Sequence, residues 1–153
     1  MFSKQEATLL RQQFWTNLGR YLSPVNSANG EKINWINYKT GVRYIRFNME
    51  AGNNSARVSI EISHPNPVLR SLFYQQFNIL KTSLEESIGT TMSWENEVLT
   101  EHGKQVSFIG DEITGVSIYV KEDWPRIIPF FKGRMSGLDL FWTNNKEVFE
   151  MIG

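Results

Sequence analysis

The alternation of apolar and polar residues in segment 56–63 constrains the fold more than any other feature of the sequence. The apolar positions of this segment are Ala56, Val58, Ile60 and Ile62. Because side chains of a strand point alternately to its two faces, the pattern predicts a strand that buries one face only. The apolar face of such a sheet needs a covering layer, which the rest of the chain must supply.

Residues 42–49 alternate in the same way, and the turn sequence EAGNNS separates them from the strand just described. These features predict an antiparallel hairpin. With the turn centred on the Gly-Asn pair, the predicted register places Tyr44 opposite Glu61. It likewise places Arg46 opposite Ser59, so that the polar side chains of both strands share the outer face.

Capping residues in front of apolar stripes indicate two helices. Ser3 and Glu6 form a capping box, and apolar residues at helical spacing follow it. Asn66, with Pro67 at the first helical position, marks the start of the second helix. Its apolar stripe continues to Gly89, a typical C-terminal stop, so one long helix is predicted.

The remainder of the chain alternates first and then becomes helical in period. Three further strands are predicted within residues 92–98, 106–108 and 116–120, separated by the turns TEHGK and GDEITG. Residues 122–153 predict helices, with a break near Pro129 because proline is not tolerated inside a helix. The predicted fold is α+β: a mainly antiparallel five-stranded sheet covered by helices, in the order α-β-β-α-β-β-β-α-α.

The composition restricts the class of protein. The chain has 153 residues, which suits a single domain over 1–153, and it has no cysteine. Disulfides, thiolate nucleophiles and cysteine-ligated metal sites are thereby excluded. The N-terminus lacks the apolar core of a signal peptide, and no stretch approaches the ~18 apolar residues of a membrane span. A cytoplasmic protein without membrane contact is expected.

The charges balance over the whole chain but not locally. Sixteen basic and sixteen acidic residues give zero net charge, which argues against strong non-specific binding to nucleic acid. Residues 32–49 carry four cations and no acid, whereas residues 82–103 carry five glutamates and no Lys or Arg. Two interpretations stay open: two solvated faces, or a self-complementary contact within the fold or across a homodimer.

Residues with catalytic or metal-binding chemistry form no recognisable constellation. His64 ends a strand and His102 lies in a turn, neither with a second ligand at metal-site spacing. Motifs of a nucleophilic serine or a phosphate loop are absent. A Mg²⁺-dependent nuclease would need converging carboxylates, for which Glu61, Glu95 and Glu97 are the candidates, but no lysine accompanies them. No catalytic residue, metal ligand or cofactor is predicted.

Segment 34–46 combines aromatic rings with cations, as single-strand nucleic-acid binders do. Its Asn, Thr and Lys side chains also suit small anions or a peptide backbone. Aromatic residues mostly serve packing, so covering the sheet edge is the alternative role. Whether Trp35, Tyr38 and Trp124 line a cleft or fill the core stays open. The predicted binding surface consists of Trp35, Tyr38, Lys39, Arg43, Tyr44, Arg46 and Glu61.

Six blocks of the sequence, in order, resemble one protein family: QQFWTNLGRYLSP, GEKINWINYKTGV, SIEISHPN, LFYQQFNILK, EDWPRIIPFFKGRM and LDLFW. They are similar to the bacterial domain-of-unknown-function family number 4268, over nearly the whole chain. The resemblance implies a bacterial protein of the stand-alone small form. Other members occur as C-terminal modules behind nuclease-like regions. The family has no catalytic motif, so the resemblance assigns no role to any residue.

Two functions are expected from these observations. The first is a non-enzymatic interaction domain that contacts a protein or a nucleic acid through segment 34–46 and the outer face of the sheet. The alternative is an accessory or catalytic domain of a nucleic-acid-processing system, related to nucleases or defence. This alternative rests on the association of the family with nuclease-like regions, which is weaker support than a site.

Overall fold

A four-stranded antiparallel sheet and one long helix form the framework of the protein. The computed structural model describes residues 3–153. The strands are β1 (Ile45–Ala51), β2 (Ser55–Ile62), β3 (Ser93–Leu99) and β4 (Gln105–Thr114). The helices are α1 (Lys4–Leu22), α2 (Pro67–Ile79), α3 (Lys81–Ile88) and α4 (Trp124–Glu150), with a 3₁₀ turn at Lys121–Asp123. The strands lie in the order β1-β2-β4-β3, and all neighbours run antiparallel.

The protein is α+β, but the predicted five-stranded sheet and the predicted order of elements are wrong. The predicted strand over residues 116–120 lies across the β1–β2 turn instead, where the N–H of Ile118 donates to the carbonyl of Gly52 at 3.0 Å. Val116, Ser117 and Ile118 are buried in succession. A strand with one buried face would expose every second residue, so the apolar alternation there reflects burial of a loop.

The sequence GDEITG predicts a turn, whereas the structure has its first five residues inside β4. β4 pairs with β2 as far as Thr114, which lies opposite Ser55. A Cβ on Gly110 would lie 2.9 Å from the carbonyl oxygen of Val58. Glycine at this position therefore serves close packing between strands and not a change of chain direction.

The β1–β2 hairpin is confirmed, but its predicted register is wrong by two residues. Arg46 lies opposite Glu61, and Asn48 lies opposite Ser59. Both strands extend further into EAGNNS than predicted, because Ala51 still pairs with Ala56 across a tight turn. A shift of two residues keeps each side chain on its predicted face, since the side-chain period of a strand is two.

The predicted helix caps are confirmed, but the single helix behind Asn66 is wrong. The Asn66 side chain accepts hydrogen bonds from the N–H groups of Val68 and Leu69 at 2.9 and 3.2 Å. Gly89 ends α3 in the left-handed conformation. Between these caps the chain leaves helical geometry at Leu80 and divides into α2 and α3. The sequence gives no signal for this break, because Leu80 is neither Gly nor Pro and continues the apolar stripe.

α4 runs without a break through Pro129, so the predicted break and the predicted second C-terminal helix are wrong. Pro129 is exposed and lies in the second turn, where its missing N–H costs the single bond to the carbonyl of Pro125. An internal proline costs ~3 kcal/mol or more. Burial of large side chains such as Phe131 and Leu138 contributes ~1.5–3 kcal/mol each, which offsets this cost.

The core lies between the apolar face of the sheet and α4. Ile60 and Ile62 of β2 are fully buried, as is Phe141 of α4. The rings of Phe47 in β1 and Trp142 in α4 meet edge to face, with centroids 5.4 Å apart. α3 packs along α4, and Gly137 of α4 lies against the backbone of Ser87 and Ile88.

Gly137 and Gly133, one turn apart on α4, differ in surroundings and provide a matched pair. A Cβ on Gly137 would lie 2.6 Å from the carbonyl oxygen of Ser87, whereas a Cβ on Gly133 would meet nothing within 4 Å. We expect Gly137→Ala to lower the free energy of unfolding by ~1–3 kcal/mol through overpacking. Gly133→Ala should raise it by ~0.5–1 kcal/mol through helix propensity. Urea unfolding of both variants measures these values, and equal effects would contradict the close α3–α4 contact.

Candidate functional site

Two buried indole groups hold loop 23–44 in place, that of Trp35 within the loop and that of Trp142 from α4. Trp35 is 3% exposed, and its Nε1–H donates to the carbonyl of Val25 at 2.8 Å. Near the end of the loop, the carbonyl of Thr40 accepts from Nε1–H of Trp142 at 2.8 Å. Trp35 therefore belongs to the core and is no contact residue, which answers the question left open for it by the sequence.

Asp139, in the middle of α4, ties the same loop to the helix. This carboxylate is 4% exposed. Its Oδ1 accepts from the hydroxyl of Tyr38 at 2.5 Å, and its Oδ2 accepts from the backbone N–H of Ala28 at 2.6 Å. The Tyr38 ring in turn stacks on Phe47, with centroids 5.1 Å apart. Both oxygens of the buried carboxylate thus have charge-assisted hydrogen bonds from the loop.

A cleft of about 460 Å³ lies between the loop and α4, and we call it the loop–α4 cleft. Tyr38 and Asp139 line it beside two lysines, Lys39 from the loop and Lys146 from α4. Loop amides and hydroxyls complete the wall. Of the three aromatic residues that the sequence left open, Tyr38 is the one that lines a cleft. Trp124 fills the core, with its Nε1–H bonded to the carbonyl of Ile118 at 2.7 Å.

A second feature surrounds Tyr44, where β1 begins. Arg43, Tyr44, His64 and Lys104 together are called the Tyr44 surface. Tyr44 has φ 71°, in the left-handed region that a bulky side chain rarely adopts. The Arg43 guanidinium carbon lies 4.8 Å from the centroid of the Tyr44 ring, and the His64 ring meets it edge to face at 4.7 Å. The Tyr44 ring is therefore held in position from two sides.

An ion pair between a buried arginine and an exposed glutamate supports the Tyr44 surface. Arg70 is 6% exposed, and its Nη2 lies 2.9 Å from Oε2 of Glu97. Its Nη1 donates to the carbonyl of His64 at 2.7 Å, which fixes the backbone that carries the imidazole. Glu97 has φ 54° at the irregularity of β3. The two non-glycine residues with positive φ among residues 3–153, Tyr44 and Glu97, are thus linked through Arg70 and His64.

Open cavities lie on both sides of Tyr44. One, of about 400 Å³, is lined by Arg43, His64 and Glu150 among others. The other, of about 520 Å³, is lined by Arg70 and Lys104 together with two prolines. Both cavities share Tyr44, which therefore forms the ridge between two recesses of ligand size.

The structure divides the seven residues of the predicted binding surface among separate places. Arg43 and Tyr44 belong to the Tyr44 surface, whereas Tyr38 and Lys39 line the loop–α4 cleft and Trp35 is buried.

The remaining two predicted residues lie side by side on the outer face of the sheet. Arg46 is exposed and lies opposite Glu61 on the neighbouring strand. Glu61 accepts from the side-chain amide of Asn48 at 3.2 Å.

The glutamates considered as metal ligands each have a separate polar partner. Glu95 pairs with Arg57 at 3.2 Å and Glu97 with Arg70 at 2.9 Å, so neither pairs with the basic segment 32–49. Within residues 3–153, no three His, Cys, Asp or Glu side chains are grouped as a metal site requires. The imidazole Nδ1 of His64 accepts from the N–H of Asn66, the N-cap of α2, at 3.0 Å, so this histidine bonds to the start of a helix.

The sequence interpretation missed the residues that hold both places together. Arg70 and Asp139 are charged residues inside the apolar stripes of α2 and α4. A charge in such a stripe is the available signal, because buried charges require a partner. The sequence could not show which partner, since Glu97 lies 27 residues from Arg70 and Tyr38 lies 101 residues from Asp139.

The fold and the site define an α+β domain in which a four-stranded antiparallel sheet packs against one long helix and an anchored loop. The family model described as "Domain of unknown function (DUF4268)" matches residues 10–146, and the chain belongs to this family. The resemblance noted in the sequence is thereby confirmed. Neither a curated protein nor a solved structure matches the chain. In the part of the chain that the structure describes, no helix is long and apolar enough to cross a membrane.

The bond between Tyr38 and Asp139 predicts a pH dependence of stability. Burial raises the pKa of Tyr38 far above its ordinary value of 10.0, and the hydrogen bond and charge of Asp139 raise it further. Because the folded state keeps the phenol neutral, this contribution is complete below pH 10.0 and is lost as the pH rises towards the folded pKa. We expect wild-type stability to fall above pH 10.0 more steeply than that of Tyr38→Phe.

At neutral pH, Tyr38→Phe should lower the free energy of unfolding by ~2 kcal/mol, because one oxygen of a buried carboxylate loses its donor. Urea unfolding over a pH series measures both effects. Tyr21→Phe is the control, since Tyr21 is 44% exposed. Identical pH profiles for wild type and Tyr38→Phe would contradict the role given to the buried phenol.

The strain at Tyr44 can be measured with two variants that both lack the ring. Left-handed backbone costs a non-glycine residue ~1–2 kcal/mol, so Tyr44→Gly should be more stable than Tyr44→Ala by ~1 kcal/mol. At Arg46, in the extended backbone of β1, the order should reverse, with Ala more stable than Gly by ~0.5–1 kcal/mol. Thermal and urea unfolding give both differences. If Ala were more stable than Gly at Tyr44 as well as at Arg46, the Tyr44 backbone would be unstrained.

Proposed function

We propose that the domain is a non-enzymatic binding module that contacts single-stranded nucleic acid through the Tyr44 surface. The observation that carries this proposal is the Tyr44 ring, half-exposed at φ 71° between Arg43 and His64. Strained residues of this kind persist where the surrounding structure over-determines them, and they cluster at binding sites. A bacterial, cytoplasmic setting is part of the proposal. The bacterial source follows from the resemblance noted in the sequence, and a cysteine-free chain, which forms no disulfides, is compatible with the cytoplasm.

The chemistry around Tyr44 suits a partner that carries both flat groups and negative charge. Arg43 and Lys104 are exposed, and neither lies within 4.0 Å of a carboxylate of residues 3–153. Tyrosine and arginine planes stack on bases, while both cations attract phosphates. Because the whole chain has zero net charge, the contact is confined to this surface and to a few nucleotides.

Fluorescence anisotropy with a labelled single-stranded oligonucleotide at low salt tests the proposal. The double variant Arg43→Glu, Lys104→Glu should weaken binding by about tenfold or more and reduce its salt dependence, since two phosphate contacts become repulsive. Tyr44→Ala should remove a stacking contribution of ~1–3 kcal/mol. Circular dichroism of each variant verifies that it is folded.

Arg126→Glu is the control for charge reversal. Arg126 is an exposed cation in the first turn of α4, and Glu150, at the other end of that helix, lines a Tyr44 cavity. A separation of 24 residues along a helix corresponds to about 36 Å. Arg126→Glu should therefore leave binding nearly unchanged. Equal loss in this control and in the double variant, or no binding by wild type, would refute a specific Tyr44 contact.

The same experiment distinguishes the alternative function, a domain that processes nucleic acid. After incubation with Mg²⁺ or Mn²⁺, the labelled oligonucleotide is separated on a denaturing gel. Intact oligonucleotide together with Tyr44-dependent binding supports the binding module. Shortened products that depend on the metal would instead establish an enzyme.

A further inference from the structure

The loop–α4 cleft is a second candidate site, lined by other residues than those of the Tyr44 surface. Its volume of about 460 Å³ lies within the ~300–1,000 Å³ that is usual for small-molecule sites. One wall of the cleft is loop 23–44 and the other is α4. Binding of a ligand in the cleft would be a function separate from the proposed nucleic-acid contact at Tyr44.

The walls of the cleft are fixed before any ligand arrives. Asp139 holds the loop at Tyr38 and at the backbone N–H of Ala28. A tight turn in the loop adds two further bonds, from the N–H of Ser27 to the carbonyl of Glu31 at 2.8 Å and from the N–H of Gly30 to that of Ser27 at 2.9 Å. A preformed site binds more tightly because less conformational entropy is lost on binding.

Neither lysine of the cleft is held in an ion pair by residues 3–153. The carboxylate of Asp139, which also lines the cleft, accepts hydrogen bonds from Tyr38 and from the backbone N–H of Ala28. Lys39 and Lys146 have no carboxylate within 4.0 Å among the residues that the structure describes. Lys146 is half-buried, which makes an uncompensated ammonium more costly than one in open water.

Gly41 leaves space for the side chain of Lys146. A Cβ on Gly41 would lie 2.6 Å from Nζ of Lys146, so any side chain there would displace the ammonium. Gly41 also has φ +76°, a conformation that favours glycine. The chain thus leaves room for this ammonium beside the cleft, where it can meet an anion.

We infer that the loop–α4 cleft binds a small phosphate-bearing molecule with hydroxyl groups, a sugar phosphate in chemical class. Lysine binds phosphate as a point charge, and the two lysines supply two such charges. Asn34 and Asn37 present amide groups, which donate to and accept from hydroxyls, and Glu31 adds an acceptor. The cleft has room for such a molecule but not for a folded partner.

Isothermal titration calorimetry and amide chemical shifts of the full chain test this inference, with ribose 5-phosphate, inorganic phosphate and ribose as probes. Ribose 5-phosphate should bind at least about tenfold more tightly than either of the others, because it engages both the lysines and the amides. Its binding should tighten as the pH rises through ~6, where phosphate becomes a dianion. Shift changes should concentrate at Asn34, Asn37 and Thr143.

Lys146→Gln is expected to weaken ribose 5-phosphate binding by about tenfold or more, through loss of one charge contact. Lys39→Gln removes the second ammonium. Because Lys39 is exposed, this variant should stay folded even if Lys146→Gln does not. Lys32→Gln, an exposed lysine of the same loop that does not line the cleft, should leave affinity unchanged.

Failure of ribose 5-phosphate to bind at millimolar concentration would overturn the inference. Equal weakening by Lys39→Gln and Lys32→Gln would do the same, because it would indicate general charge attraction. Inorganic phosphate binding as tightly as ribose 5-phosphate would overturn the sugar part of the assignment. A Tyr44→Ala variant that retains ribose 5-phosphate affinity would show that the Tyr44 ring takes no part in binding at the cleft.

Discussion

The arrangement of loop 23–44 and of the loop–α4 cleft depends on the hydrogen bonds of one buried carboxylate, that of Asp139. Residues 23–44 contain no helix or strand, and an irregular segment of this length is uncommon inside a packed domain. Two donors from this segment, Tyr38 and Ala28, converge on one buried charge at 2.5 and 2.6 Å. Without these donors the carboxylate would be buried with no hydrogen bond. The free-energy cost of that state holds the loop against α4. Loop 23–44 is therefore held in a fixed position against α4.

The direction of that carboxylate follows from the burial of α4. Because the sheet buries only one face, α4 must turn its apolar stripe towards it. Asp139, Trp142 and Lys146 follow one another at spacings of three and four residues, so they share one side of the helix. The stripe that stabilises the core thus also aims an anchor, an indole donor and an ammonium at the loop. The orientation of α4 about its own axis therefore determines both the packing of the core and the geometry of the cleft.

Local rules predicted the caps, the hairpin and the α+β class because each depends on neighbouring residues. They failed where distant packing decides. Gly110 stands in a sequence typical of a turn, but it lies at a tight contact between two strands. Pro129 removes one helical hydrogen bond, and burial of the apolar stripe of α4 offsets the cost. For the candidate site, the sequence predicted Tyr44 because cations flank it, and its role in binding stays a prediction. It gave no partner for Arg70 or Asp139, because their partners lie far along the chain.

The two proposed sites share a short piece of backbone, and this imposes a relation between them. Gly41 borders Lys146 of the cleft and also lines a cavity beside Tyr44. Thr40 accepts the Trp142 indole through its carbonyl and donates its hydroxyl to the carbonyl of Ile45 at 2.7 Å, next to Tyr44. An anion at Lys146 would therefore act on backbone that also determines the strained Tyr44. Any resulting coupling must be reciprocal, so nucleic acid at Tyr44 would change phosphate affinity by the same factor.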